Sequence, residues 1–335
     1  MTEEKYLELF PATSYASSTA TQNFFEYANR WVLSREVVDG TRRNYVSCMN
    51  CYWLPNIGGM PINQITPTLL KEVIARIDWP SAPTRRTAIQ RLSTIFESAL
   101  VEELVTRNPC KSVELPRRAK PKIDPFTQAE AEQIIEWFYA NRKGSMAVYP
   151  AYFEFAFFTG MRPGEIAALR WDEIDEENRT AHVCRIVVDY KIQERTKTKE
   201  DRVVKLNSRA MHALETAKKV RDLRAKQTTR QHPVSPYVFP PSRNFEYIQQ
   251  ASVTDAHFRK ALTALNIRPR RQYNCRHTYA TICLMAGMMP AFIANQLGNT
   301  VQVLLSTYAR WLNSSNDWAE LNKIEKALNG TELVR

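Results

Sequence analysis

The chain has 335 residues, with 46 Lys and Arg against 35 Asp and Glu, and carries a net charge of +11. That length allows two domains with separate cores, and the charge points to a polyanionic partner, because a positive surface attracts phosphates and releases their counterions. The apolar stretches 149–159 and 279–294 are short and interrupted by Pro, Gly or Glu, which excludes a clean membrane span; the N-terminus MTEEKYLELF lacks the basic-then-apolar order of a secretory signal, so a cytosolic protein with reduced thiols is expected.

Residues 1–20 are rich in Ser, Thr and Ala and read as a mobile lead-in. From Thr21 the pattern becomes helical, with Phe24, Tyr27, Ala28, Trp31 and Val32 on one face. A second helix is expected after Asp39-Gly40 with Thr41 as its cap, a third is opened by Thr66-Pro67, and a fourth spans 88–105 before Asn108-Pro109. The spacing thus predicts an all-helical domain over 21–110, with Arg42, Arg43, Arg85 and Arg86 on its surface. Cys48 and Cys51 form a C-x-x-C, but no second pair or nearby H-x-x-x-H completes a zinc site, so both read as buried thiols. Residues 111–123 carry Arg117 and Arg118 between Pro116 and Pro121, the composition of an extended, solvated linker.

The second domain, 124–335, opens with a Thr127–Glu130 capping box heading a helix to about Tyr139. In Thr159-Gly-Met-Arg-Pro-Gly-Glu-Ile, Arg162 precedes Pro163 and is therefore extended at a helix entrance, with Glu165 in the first turn. The β-branched run Thr180–Val188 predicts a strand and Arg202–Leu206 another, with Lys197 and Lys199 in the loop between them. A charged helix over 208–230, a proline-rich crossing at 233–241 and a Ser252–Asp255 capping box follow; Arg268, Arg270 and Arg271 are free to reach a polyanion. The segment 273–311 then reads as a helix with Arg276 and His277, a stop at Gly287, a short helix opened by Pro290, a turn at Gly298 and a helix from Thr300 that carries Tyr308. A lone Tyr at helical spacing is ordinarily core, and Tyr279 is read so. A helix over 317–328 has an apolar face of Trp318, Leu321, Ile324 and Leu328.

Arg276-His277-Thr278, Leu297-Gly298 and Tyr308, together with TGMRPGEIAALRW around Arg162, resemble the signature of the tyrosine recombinases, or phage integrases. The resemblance implies a mainly α chain with a small antiparallel β-sheet: a helical core-binding domain and a mixed α/β catalytic domain that form a C-shaped clamp on DNA. It implies Tyr308 as nucleophile, Arg162 and Arg276 as the phosphate clamps, Glu165 as the acid supporting Arg162, and Lys197 as general acid, five residues before Arg202, with Lys199 as the alternative. Arg42, Arg43, Arg85, Arg86, Arg117, Arg118, Lys199, Arg202, Arg270 and Arg271 become expected DNA contacts, mostly to phosphates, which set register without reading sequence. The partners implied are double-stranded DNA, a homotetramer on paired sites, exchange of the C-terminal helix between protomers, and an accessory DNA-bending protein. No cofactor is implied, and the sequence shows no carboxylate constellation that would hold two metals. Many phage integrases carry an extra N-terminal arm-binding domain, for which there is no room before Thr21; the expectation is either a two-domain recombinase or a chain from which that domain is missing.

Two positions depart from the family pattern: Tyr273 and Asn299 stand where histidines, or at the second position a tryptophan, are usual. Both side chains donate hydrogen bonds, but neither is an acid–base group near neutral pH, so slowed cleavage is expected. His277, next to Arg276, is expected to face elsewhere and not to substitute. The competing reading is a recombinase-like DNA-binding protein with weak or no catalysis.

Overall fold

This computed structural model describes residues 22–117, 123–194, 201–226, 235–242 and 245–311. The expected lead-in, Arg118, the loop lysines Lys197 and Lys199, and the helix expected over 317–328 lie outside the described residues. The chain divides into two compact units, Met1–Pro121 and Lys122–Arg335. No described helix is long and apolar enough to cross a membrane.

In the first unit, α1 (Phe24–Ser34) is opened by a capping box in which Asn23 Oδ1 accepts from the Glu26 N–H at 2.8 Å, and it buries the expected face of Phe24, Tyr27, Ala28, Trp31 and Val32. Thr41 does not cap α2 (Asp39–Cys48). Its N–H and that of Arg42 already donate to the Val38 carbonyl, so the helix starts earlier, with Asp39 at its positive end. A π-helical stretch, Met49–Trp53, leads into α3 (Leu54–Ile57); it turns Met49 and Trp53 inward and leaves Cys51 exposed, so of the C-x-x-C pair Cys48 alone is buried. Thr66 caps α4 (Pro67–Arg76) as expected. The last helix, α5 (Ala82–Val101), begins and ends before the expected bounds, because Ser81 accepts from the Thr84 N–H at 3.2 Å and Glu103 turns left-handed at φ 57°. Its Phe96 stacks on Phe24 at 5.7 Å in the core. That core reaches into the segment expected to be linker: Pro109–Ser112 is a 3-10 turn, and Cys110 and Val113 are buried while the charged Lys111 and Glu114 stay outside.

In the second unit, Thr127 and Glu130 form the expected box on α6 (Gln128–Asn141). The helix α7 (Val148–Thr159) is apolar on every side and therefore central, with α6, α9 (Ser208–Ala225) and α11 (Asn274–Met285) packed on it. It is followed by the short α8 (Pro163–Ala168). The single strand expected over 180–188 is two strands, β2 (Thr180–Val183) and β3 (Arg185–Val188), separated at Cys184. β2 lies antiparallel between β1 (Ile174–Asp175) and β5 (Arg202–Lys205), with Ala181 opposite Val204. β3 instead makes a hairpin with β4 (Lys191–Glu194) through Asp189 and Tyr190, whose φ of 50° and 69° suit a tight hairpin turn. Ser252–Asp255 is not a capping box: α10 (Ala251–Ala264) has Gln250 at its N-cap without a side-chain cap, and Asp255 accepts from the Gln272 N–H at 3.3 Å.

The C-terminal part follows the sequence closely. After α11 the chain turns at Gly287, φ 73°, forms α12 (Pro290–Leu297), turns again at Gly298, φ 63°, and enters α13 (Val301–Tyr308) under a Thr300 cap. A separate small core that includes Tyr279, Leu284, Ile293, Leu297, Leu304 and Tyr308 holds these helices together.

Candidate active site

Gly160 ends α7 in the left-handed region at φ 62°, which frees the chain to turn back with Arg162 extended at φ −68°, ψ 145° before Pro163. Glu165 then works from the first turn of α8. One carboxylate oxygen accepts from the Arg162 N–H at 3.0 Å, and the other from Arg162 Nη1 at 2.9 Å. Arg202 of β5 donates to both, Nη1 at 3.1 Å and Nη2 at 2.6 Å. Burial alone would raise this carboxyl, but the hydrogen bonds and charge of Arg202, with Arg162 behind them, hold it down at about 2.

Arg276 projects from α11 into the interior and is 2% exposed. Its Nη1 donates to the Gly160 carbonyl at 2.9 Å, and Nη2 donates to the Leu297 carbonyl at 2.6 Å and to Asn299 Oδ1 at 3.1 Å. The same Asn299 oxygen accepts from Arg162 Nη2 at 3.4 Å. The turn after α12 therefore links both arginines. Burial, reinforced by repulsion from Arg162, lowers the Arg276 guanidinium to about 10, which leaves it charged at neutral pH.

Tyr308, at the end of α13, is 2% exposed, and its hydroxyl lies 2.6 Å from His277 Nδ1. Burial raises the phenol to about 12, against the pull of Arg276 and Arg162. Burial, and then the Arg276 charge, lowers the His277 imidazole to about 4. Tyr273 precedes α11 and its ring stands edge-on to His277 at 5.2 Å. The structure thus gathers Arg162, Glu165, Tyr273, Arg276, Asn299 and Tyr308 from four separate stretches of chain. Two fixed guanidiniums beside a buried phenol can hold a phosphate diester and neutralise the charge it gathers on attack.

The sequence profile of the Phage integrase family matches residues 125–313, and that of the Phage integrase central domain matches residues 24–115. The chain belongs to the phage integrase family. The prophage integrase IntR of Escherichia coli (strain K12) is 27% identical over 355 residues, an alignment covering 94% of this chain and 84% of IntR. The IntQ protein of the same strain is 26% identical over 253 residues; the match covers 71% of this chain and 62% of IntQ, so the chain spans less than two thirds of that relative. The Tn1549 transposon integrase in complex with a circular intermediate DNA has a similar fold, with a TM-score of 0.73 and 19% identity over 89% of this chain and 98% of that one.

Several basic residues of this phage-integrase chain are engaged within the protein. Arg42 donates to the carbonyls of Val32, Leu33 and Arg35 at 2.5, 3.0 and 2.9 Å, closing the end of α1. Arg270 is held by Asp124 at 2.8 Å and Glu130 at 3.0 Å over the Phe126 ring, and Arg202 is taken up by Glu165, so these three do not present the free guanidiniums expected of DNA contacts. Arg86, half-buried on α5 beside Arg85, donates to the Pro116 carbonyl at 2.7 Å. Arg43, Arg117 and Arg271 are exposed. His277 meets the hydroxyl of Tyr308, a contact the sequence reading missed. The available signal was the four-residue spacing of Tyr273 and His277, which puts both on one side of α11.

Proposed function

We propose that this chain is a site-specific DNA recombinase of the phage-integrase type, which cleaves and rejoins strands through a covalent 3′-phosphotyrosine to integrate or excise a mobile element. The observation that carries this reading is the convergence of Arg162, Arg276 and Asn299 in one hydrogen-bonded group beside buried Tyr308, in a chain of that family. Tyr308 attacks the scissile phosphorus, and Arg162 and Arg276 neutralise the charge gathering on the non-bridging oxygens. A positioned acid then protonates the departing 5′-oxygen; Lys197 is assigned that role by its sequence position, with Lys199 as the alternative. Storing the diester as a tyrosyl ester conserves its bond energy for rejoining. The partner is double-stranded DNA, held at its phosphates by the exposed basic side chains Arg43, Arg117 and Arg271, with Arg85 and Arg86 of α5 and Arg118, next to Arg117, as further contacts. Recombination proceeds in a homotetramer on paired sites in the cytosol, with the C-terminal segment passing between protomers and an accessory protein bending the DNA.

The test uses a library of nicked duplexes randomised on both sides of the nick, incubated in EDTA and screened for SDS-stable protein–DNA adducts. An adduct with wild type that disappears in Tyr308→Phe is expected. Persistence in Tyr308→Phe moves the nucleophile elsewhere. Specific binding without any wild-type adduct identifies instead a DNA-binding protein with impaired catalysis, the reading favoured by Tyr273 and Asn299.

A further inference from the structure

Attack by Tyr308 requires its proton to go to another atom. Among the described side chains around the phenol, Arg162 and Arg276 are guanidiniums, which offer donors and no acceptor, Asn299 is an amide, and Tyr273 is another phenol. His277 differs from all of them. Its Nδ1 is 2.6 Å from the Tyr308 hydroxyl, and its ring lies between Tyr308, with centroids 5.7 Å apart, and Tyr273 at 5.2 Å.

We propose that His277 is a catalytic residue of this site, the general base that takes the phenolic proton of Tyr308 at Nδ1 during cleavage and returns it during rejoining. The assignment rests on the recombinase reading above.

The resting pair is neutral. Burial and the Arg276 charge hold the imidazole at about 4, while burial holds the phenol at about 12, so Tyr308 is a donor and Nδ1 an acceptor, with the ring's own proton on Nε2. The nucleophile therefore stays un-ionised until DNA arrives. A scissile phosphate seated on Arg276 and Arg162 offsets their positive charge, which makes the imidazole more basic, and bonding to phosphorus makes the phenol more acidic. In cleavage the Tyr308 oxygen–phosphorus bond forms and the phosphorus–5′-oxygen bond breaks; the phenolic proton moves to Nδ1, and the 5′-oxygen leaves with its electron pair and takes a proton from the separate acid. In rejoining, the 5′-hydroxyl gives up its proton to that acid's conjugate base as it attacks phosphorus. Tyr308 departs and recovers its proton from the imidazolium. Among the described residues, the titratable groups against the His277 ring are Tyr308 from α13 and Tyr273 from its own segment, and the charge that acts on it is that of Arg276.

The experiment measures single-turnover adduct formation by wild type, His277→Gln and His277→Ala on the nicked duplex selected with wild type, from about pH 5 to about pH 9. Glutamine can accept the Tyr308 hydrogen bond but cannot hold a proton. His277→Gln is expected to bind DNA as wild type does and to form adduct on the order of 10²-fold more slowly at neutral pH. The deficit should shrink as pH rises, because hydroxide in solution takes over deprotonation of the phenol. A His277→Gln rate within about twofold of wild type, or a deficit equal at every pH, overturns the proposal, the latter identifying a purely positioning role. His277→Ala shows whether any loss in the Gln variant comes from packing. A Tyr308-dependent adduct that forms normally without His277 overturns this proposal and leaves the recombinase reading intact; absence of any Tyr308-dependent adduct in wild type overturns both.

Discussion

The guanidinium of Arg202 meets both carboxylate oxygens of Glu165, at 2.6 and 3.1 Å, in a pair whose acid is completely buried. Arg202 Nε also donates to the Gln296 carbonyl at 3.0 Å, and its head group packs on Gly298, where an added Cβ would meet Nη1 at 3.0 Å. A single side chain on β5 thus ties together the segment that carries Arg162 and the turn that carries Asn299. Glu165→Gln removes one charge and strands the other in a site with little water. Loss of one partner from such a buried pair costs about 3–5 kcal/mol, so Arg202→Ala and Glu165→Gln should lower the urea midpoint of the second unit markedly. Arg202→Lys should recover only part, since an ammonium cannot reproduce the planar fork. Midpoints equal to wild type for Arg202→Ala would show that the pair does not hold the site.

Gly160→Ala should damage both stability and the placement of Arg276. At φ 62° an added Cβ would lie 2.5 Å from Tyr279 Cδ1 and 2.8 Å from Leu297 Cδ2, and the Gly160 carbonyl is an acceptor for Arg276. The left-handed conformation costs an L-residue roughly 1–2 kcal/mol, and the overlap adds roughly 1–3 kcal/mol. Thermal unfolding and DNA affinity should both be lowered. A variant that melts and binds like wild type would mean that the α7–α8 turn relaxes freely.

Asn299 Oδ1 accepts from both Arg276 and Arg162, at 3.1 and 3.4 Å, and so holds two like charges at one point. Asn299→Ala removes that acceptor and should slow adduct formation by about tenfold or more, because mutual repulsion of Arg162 and Arg276 is then opposed only by backbone carbonyls and Glu165. Asn299→His keeps an acceptor nitrogen and adds a group able to exchange protons near neutral pH; it should raise the adduct rate above wild type. Single-turnover rates on one selected duplex decide this. An unchanged rate for Asn299→His would show that proton transfer at this position does not limit cleavage.

What the sequence made legible was local. Pro163 fixed the entrance that carries Arg162, and Gly287, Pro290, Gly298 and Thr300 marked the turn after α11, both ends of α12 and the start of the helix that carries Tyr308. The use of each arginine was not legible, because its partner is far along the chain. Arg202 finds Glu165 across 37 residues and Arg270 finds Asp124 across 146, and nothing near either position distinguishes it from exposed Arg271. The break at Cys184 was hidden for a similar reason: β2 and β3 share one β-branched run but pair with different partners. His277 was misread because helical spacing gives the face a side chain occupies but not what another helix brings to that face.

Stability should fall as acid approaches pH 4, and two histidines should carry much of the loss. Burial, followed by the Arg142 and Lys260 charges, lowers His257 to about 4, and its ring stacks on Tyr149 at 3.8 Å; His277 is lowered to about 4 by burial and Arg276. Both are neutral in the fold, while in the unfolded chain each takes up a proton near 6.5. Between about pH 6.5 and 4 the unfolded state therefore binds more protons, so stability decreases as pH falls through that window and levels off below it with respect to these groups. Glu165 acts lower: its stabilising charge is fully present above about 4.5 and is lost as pH falls through about 2. His257→Phe preserves a ring on Tyr149 and removes the titration, so its unfolding midpoint should decline less than that of wild type between about pH 6.5 and 5. Imidazole resonances of His257 and His277 followed by NMR should titrate well below the usual histidine range. Parallel declines for wild type and His257→Phe, with the His257 resonance moving near pH 6.5, would show that this ring is hydrated in the folded protein.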